Sequence, residues 1–384
     1  MKTNGEGVLR TAIDATRHRV MVVVGTRPEA IKMAPLILAL REHPHLQCRV
    51  VATAQHREML DQALRLFGIE PDVDLDIMQP GQSLTTLTAR LLSGFERVLD
   101  EHRPDAVLAQ GDTTSVMAIA LACFYRQIPF GHVEAGLRTG DLSNPFPEEF
   151  NRVMAGKLAR WHFAPTATAR LNLLREGVAD GDIHVTGNTV IDALLGVAAR
   201  PAPLPFAASP SQRLILVTAH RRESFGEPLR DICRALLTLV DEIPDLTVVF
   251  PVHPNPRVQD TVHRALGGQP RILLCAPLEY PSFVAVMKAA YLILSDSGGV
   301  QEEAPALGKP VLVLRQETER PEAVEAGVVK VVGTGHDAIV AAARTLCTDA
   351  AAYAAMARGI SPYGDGQAAG RIVRVLVSHF RPCA

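Results

Sequence analysis

The sequence predicts two doubly wound, Rossmann-like α/β domains facing a cleft, and three observations carry that prediction. Short, β-branched, almost continuously apolar runs alternate with helical patterns, as strands buried on both faces of a parallel sheet do. A Pro- and Ala-rich segment breaks the chain near its middle, and the alternation then starts afresh. The length, 384 residues, exceeds one ordinary hydrophobic core.

In the first half the apolar runs are Arg19–Thr26, Arg49–Gln55, Ala106–Asp112, Ile128–Ala135 and Ile183–Thr189, with helical patterns such as Glu29–Glu42 and Leu84–Asp100 between them. The segment Ala198–Pro210 (AARPAPLPFAASP) suits neither an ordinary helix nor a central strand, and the domain linker is placed there. The second half repeats the pattern with Leu214–His220, Leu246–His253, Ile272–Ala276, Tyr291–Asp296, Pro310–Leu314 and Val328–Val332. One large sheet or a TIM barrel is the alternative, and the central break argues against both. The expected layout is an extension over 1–18, domains over 19–200 and 211–365, and a closing segment over 366–384.

Composition narrows the function. The formal net charge is -2, so the chain has no bulk electrostatic reason to seek nucleic acid or an anionic membrane. Its six cysteines are scattered without a C-x-x-C pair, which signals neither zinc nor a redox dithiol and reads as buried thiols in a reducing cytosol. Met1–Arg19 is polar and lacks the apolar core of a signal peptide, and no apolar run approaches a membrane span. The expectation is a cytoplasmic protein. No H-E-x-x-H, G-x-S-x-G or G-x-G-x-x-G pattern stands where a metal, a serine nucleophile or a dinucleotide would need it, so no metal and no cofactor are expected.

Six motifs remain, most of them at the exits of expected strands. GTRPEAIKMAP (Gly25–Pro35) places Arg27 and Lys32 at a helix start suited to phosphate, or it is only a strand-to-helix turn. QGDTTS puts Asp112 just beyond a buried strand, where either a ligand-facing carboxylate or a helix N-cap is chemically apt. HVEAGLRTGDLSNPFPEEFNR holds Glu134 at a strand exit and Glu148 four residues before Arg152, a spacing that also fits a plain surface ion pair. TAHRRESFG sets His220, Arg221 and Arg222 at the first strand exit of the second domain. SDSGGVQEEAPALGKP supplies Ser297, Gly298 and Gly299, small enough for backbone N–H groups to approach a pyrophosphate, followed by Glu302 and Glu303 within reach of ribose hydroxyls. RQETERPEAV adds Arg320. His43, His45, His102 and His263 flank helices and are read as solvated.

In this order the motifs resemble those of the non-hydrolysing UDP-N-acetylglucosamine 2-epimerases, from about Val20 to about Gln367. The resemblance implies the glycosyltransferase-B type of two-domain fold, with a helix after Pro362 packing back on the first domain. It implies reversible epimerisation of UDP-N-acetylglucosamine to UDP-N-acetylmannosamine through loss and return of UDP, for cell-surface polysaccharide, by a homodimer. It assigns Asp112, Glu134, Glu148 and His220 to catalysis. Arg27, Lys32, Arg152, Ser297, Gly298, Gly299, Glu303 and Arg320 are assigned to the substrate. A second, activating nucleotide-sugar site falls on Gln55, His56, Gln82, Arg221 and His253. The competing readings are a 2-epimerase of a modified UDP-diacetamido sugar and a glycosyltransferase of the same fold.

Overall fold

The structure is a computed structural model that describes residues 17–53, 57–79, 81–207, 211–221 and 224–380. The chain forms two compact units. One runs up to Ala193 and takes the chain up again from Tyr363, and the other is Leu194–Pro362.

The first unit carries strands β1 (His18–Val24), β2 (Leu46–Ala52), β3 (Val73–Asp74), β4 (Ala106–Gln110), β5 (Phe130–Val133), β6 (Trp161–Ala164) and β7 (Ile183–Val185). Helices α1 (Arg27–Glu42), α2 (Arg57–Leu66), α3 (Leu84–His102), α4 (Thr114–Tyr125), α5 (Glu148–Leu158), α6 (Ala167–Arg175) and α7 (Thr189–Ala198) connect or follow them. All strand pairs are parallel, in the order β3-β2-β1-β4-β5-β6-β7. Val20–Val24 and Ala106–Gln110 are buried throughout, which is why their sequences lack period-two alternation. The chain winds outward both ways from β1 and β4, so the crevice beyond their carboxyl ends is the place for a ligand.

The second unit holds β8 (Arg213–Thr218), β9 (Leu246–Pro251), β10 (Ile272–Cys275), β11 (Leu292–Ser295), β12 (Val311–Val313) and β13 (Val329–Val331), with α8 (Glu227–Glu242), α9 (Pro256–Leu266), α10 (Tyr280–Ala289), α11 (Gly298–Ala306), α12 (Pro321–Glu325), α13 (His336–Thr348) and α14 (Ala350–Met356). Its sheet is again parallel, ordered β10-β9-β8-β11-β12-β13, with its switch point between β8 and β11. Ile215, Val217, Leu236, Val248, Phe250 and Leu294 are among the residues of its core.

The last helix, α15 (Ala368–Phe380), lies on α1 in the first unit. The Asp192 carboxylate accepts the Ala368 and Ala369 N–H groups at 3.2 and 2.9 Å, capping its start. Phe380 stacks on His18 with ring centroids 4.4 Å apart, and His379 meets Trp161 edge-on. Among the described residues no helix is long and apolar enough to cross a membrane. Cys123 and Cys233 are buried, whereas Cys48, Cys275 and Cys347 are only half-buried.

The strand bounds differ from the expected ones mostly at the carboxyl ends. β5 stops at Val133 because Glu134 adopts φ +64°, and β4 stops at Gln110 because Gly111 turns at φ +87°. The apolar or small residues beyond these points read as strand in sequence, but the backbone has already left the ladder. β6, whose WHFA sequence sets a polar His162 among apolar neighbours, went unrecognised, as did the two-residue β3.

Candidate active site

The first group of site residues gathers beyond β1, β4 and β5. Gly25 and Thr26 form the turn into α1. Thr26 is its N-cap and accepts the Glu29 N–H at 3.3 Å, while Glu29 Oε2 accepts the N–H groups of Gly25 and Thr26 at 2.6 and 3.1 Å. This capping box fixes the turn. Only glycine fits at 25, since a Cβ there would lie 2.4 Å from Thr53 Oγ1. Burial pushes the Glu29 carboxyl up to about 7, against the lowering effect of those N–H donors and the Thr113 hydroxyl. Arg27, the first residue of α1, is exposed, and Lys32 sits one turn further on.

Lys32 Nζ reaches Glu134 Oε2 at 2.6 Å, and Gln110 Nε2 donates to the same oxygen at 2.6 Å. Glu134 is 8% exposed and holds a left-handed backbone that a non-glycine residue adopts at a cost. Neighbouring Asp112 accepts from Arg152 Nη2 at 2.5 Å. Burial raises the Asp112 carboxyl above its ordinary value and the Glu134 charge adds to that, while Arg152 and Lys32 oppose it. The cap of α4 is Thr113, whose hydroxyl accepts the Val116 N–H, and not Asp112. Two carboxylates and two cations from two strand exits and two helices therefore share one corner.

Glu148 starts α5, half-buried, but the ion pair that its spacing allowed with Arg152 is not the one formed. Arg152 Nη1 instead lies 3.3 Å from Glu149 Oε2, and Glu149 Oε1 accepts the N–H groups of Thr139 and Gly140 at 2.9 and 3.0 Å. Glu149 thereby ties the loop after β5 to α5. Sequence reasoning missed it, because adjacent glutamates in PEEF carry no signal of which one turns inward. Glu29 was missed as well, although T-R-P-E carries the spacing of a capping box. His132 and His162, register partners on β5 and β6, were also missed. His132 Nε2 contacts the Gly111 carbonyl at 2.7 Å. Burial drives both imidazoles down to about 4. Gln82 is held within this unit, its amide contacting Met78 Sδ at 3.0 Å and Arg90 at 3.4 Å. Gln55 and His56 lie outside the described residues, as does Arg222.

The second group lies beyond β8 and β11. Asp296, wholly buried just after β11, accepts the His220 and Arg221 N–H groups on Oδ2 at 2.7 and 2.8 Å, and the Ser224 hydroxyl at 3.3 Å. Its Oδ1 lies 3.0 Å from His220 Nδ1. Burial pushes the Asp296 carboxyl up, yet His220 and the two N–H donors outweigh it and leave it below the usual carboxylate range. The His253 ring stacks on His220 with centroids 5.9 Å apart. Ser297 precedes α11, whose first residues are Gly298 and Gly299, and its N–H is anchored on Ser295 Oγ at 3.0 Å. Glu303 accepts the Tyr280 hydroxyl at 2.5 Å, and the Arg320 Nε donates to Glu302. Among the described residues no His, Cys, Asp and Glu cluster is disposed to hold a metal ion.

A family profile described as UDP-N-acetylglucosamine 2-epimerase matches residues 38–377. The chain belongs to the UDP-N-acetylglucosamine 2-epimerase family. It is 55% identical over 369 residues to the UDP-N-acetylglucosamine 2-epimerase of Escherichia coli K12, a match that covers 93% of this chain and 98% of that one. It is 49% identical over 363 residues to that of Bacillus subtilis 168, covering 94% and 96%. Among solved structures, the UDP-GlcNAc 2-epimerase of Neisseria meningitidis bound to UDP-GlcNAc superposes with a TM-score of 0.84 at 46% identity, covering 94% of this chain and 100% of that one. Like these epimerases, the chain is an isomerase, and its fold is the two-domain glycosyltransferase-B type.

Proposed function

We propose that the chain interconverts UDP-N-acetylglucosamine and UDP-N-acetylmannosamine without hydrolysis, by eliminating and re-adding UDP. The observation that carries this reading is the pairing of Asp112 with Arg152 and of Glu134 with Lys32 and Gln110 at one sheet switch point. The C2 proton of the sugar has no adjacent carbonyl and is not acidic, so direct abstraction is slow. Cleavage of the C1–O bond removes that obstacle. The bonding electrons leave with UDP, a carboxylate takes the C2 proton, and a C1–C2 double bond forms, giving 2-acetamidoglucal. Protonation of C2 from the other face and attack of the UDP oxygen on C1 complete the inversion. The chemistry needs two proton-transfer groups in different environments. Asp112, raised by burial, and Glu134, oriented by two donors, meet that need, with Glu148 as a third acid nearby in sequence.

In this reading the second unit holds the nucleotide. The α11 N-terminus with Ser297, Gly298 and Gly299 takes phosphate oxygens, His220 faces the diphosphate, Glu303 takes the ribose, and Arg320 makes a further nucleotide contact. Arg27 supplies cationic charge toward the pyrophosphate, Lys32 links that charge to Glu134, and Arg152 lies near the sugar. The product serves cell-surface polysaccharide, made in the cytoplasm by a homodimer. A second UDP-N-acetylglucosamine acts as activator through Gln55, His56, Gln82, Arg221 and His253. A lag with UDP-N-acetylmannosamine alone, abolished by traces of its epimer, tests that part.

The decisive experiment is incubation with UDP-N-acetylglucosamine in D2O. Deuterium appears at C2 of both epimers if the proton exchanges between removal and return. Absence of deuterium, together with sugar transfer to an added acceptor, overturns the epimerase reading. Conversion of a diacetamido substrate alone overturns the assigned substrate.

A further inference from the structure

Asp296 has no accessible surface, so it touches no ligand, yet its Oδ2 is bonded to the segment that carries His220, and its Oδ1, which no other group among the described residues hydrogen-bonds, lies against the His220 ring. Oδ2 takes two successive backbone N–H groups and fixes where the chain leaves β8. Oδ1 faces the imidazole Nδ1 at 3.0 Å. The His220 side chain itself remains 39% exposed, so its far ring nitrogen, Nε2, is the one left for a ligand. In a neutral imidazole one nitrogen donates and the other accepts. A carboxylate can only accept, so Asp296 draws the proton to Nδ1 and leaves Nε2 as an acceptor. An anionic diphosphate offers only acceptors as well. The two demands are met together when the ring takes a second proton and donates at both ends, and the buried carboxylate stabilises that cation.

We propose that Asp296 is a positioning residue that holds the proton on His220 Nδ1 and so makes His220 a cationic donor, through Nε2, toward the diphosphate of the bound nucleotide. The proposal rests on the reading that His220 faces the diphosphate. Within it, His220 receives UDP as an imidazolium and accompanies the charge that builds on UDP as the C1–O bond breaks.

Asp296→Asn separates this role from simple anchoring. The Asn carbonyl oxygen takes the place of Oδ2 and keeps the two backbone N–H bonds. The amide NH2 takes the place of Oδ1 and donates to Nδ1, which moves the His220 proton to Nε2 and disfavours the cation. In the full-length protein, 15N spectra of His220 at a pH where the ring is neutral report the Nδ1–H form in the parent and the Nε2–H form in the variant. UDP affinity, measured by calorimetry, falls on the order of ten-fold, as loss of a charged hydrogen bond does. In a His220→Gln background the same Asp296→Asn change leaves UDP affinity unaltered. The same tautomer in parent and variant overturns the proposal, as does an equal affinity loss in both backgrounds, which marks Asp296 as an anchor alone. If His220→Gln by itself leaves UDP affinity intact, the placement of His220 at the diphosphate fails instead.

Discussion

Replacing His162 with phenylalanine should make the fold more tolerant of acid. His162 is 2% exposed, its Nδ1 has no hydrogen-bond partner, and it lies beside His132 in the β5–β6 register. Burial, followed by the charge of His132, holds its pKa down at about 4 against the usual 6.5. The unfolded chain therefore binds a proton below about 6.5 that the native protein refuses until about 4, so stability rises with pH across that window. The gap is worth about 3 kcal/mol once pH falls below the native value, and about 2 kcal/mol near pH 5. Glu29 works in the opposite direction. Its carboxyl, raised to about 7, adds stability that is complete below 4.5 and is lost as pH rises through 7. Total stability against pH thus mixes both signs, and the difference between parent and His162→Phe isolates the imidazole. Urea unfolding at roughly pH 7.5 and pH 5 should show the variant losing about 2 kcal/mol less than the parent between the two conditions. Equal losses would refute the claim that a neutral buried His162 contributes to acid sensitivity.

Glu134→Gln should lower turnover about 10²–10⁴-fold while leaving UDP affinity within a small factor, measured by initial rates and calorimetry, and near-normal turnover would remove Glu134 from the proton-transfer set. Gly25→Ala should destabilise the protein by about 1–3 kcal/mol, because the new methyl group meets Thr53 Oγ1. Thr53→Ala in that background should restore part of the loss in a denaturant melt, and no rescue would place the strain elsewhere. Glu149→Gln should weaken the hold on the Thr139–Gly140 backbone and on Arg152. Faster proteolysis of the loop after β5 with the first unit still folded is the expected result, and unchanged cleavage would contradict it.

The alternation of strands and helices was legible because parallel strands buried on both faces must be apolar along their whole length, and RVMVVVGT and AVLAQGD are. Their ends were not legible. Gly25, Gly111, Ala135 and Ala219 are small enough to extend a strand pattern, while the ladder stops at a backbone turn such as that of Glu134. Candidate residues at strand exits could be named for the same reason that the fold could, since the exits follow directly from the runs. Their partners were not. Asp296 meets His220 from 76 residues away, and Lys32 meets Glu134 from 102. Spacing along a helix offered Arg152 the wrong glutamate, because i,i+4 geometry says nothing of the Thr139 and Gly140 N–H groups that draw Glu149 inward.

The placement of α15 bears on how the chain is made. Residues Leu194–Pro362 form one unbroken stretch, so that unit can begin folding as soon as its own segment has been synthesised. The other unit is interrupted. The helix that packs on its α1, α15 with buried Ile372, Val373 and Leu376, emerges only after the whole of the intervening unit. Throughout that interval α1 stands without the helix that packs on it, an opening for chaperones or for mispairing with another nascent chain. A stop codon anywhere in the second half would thus strip a helix from the first unit while leaving all of its strands in place.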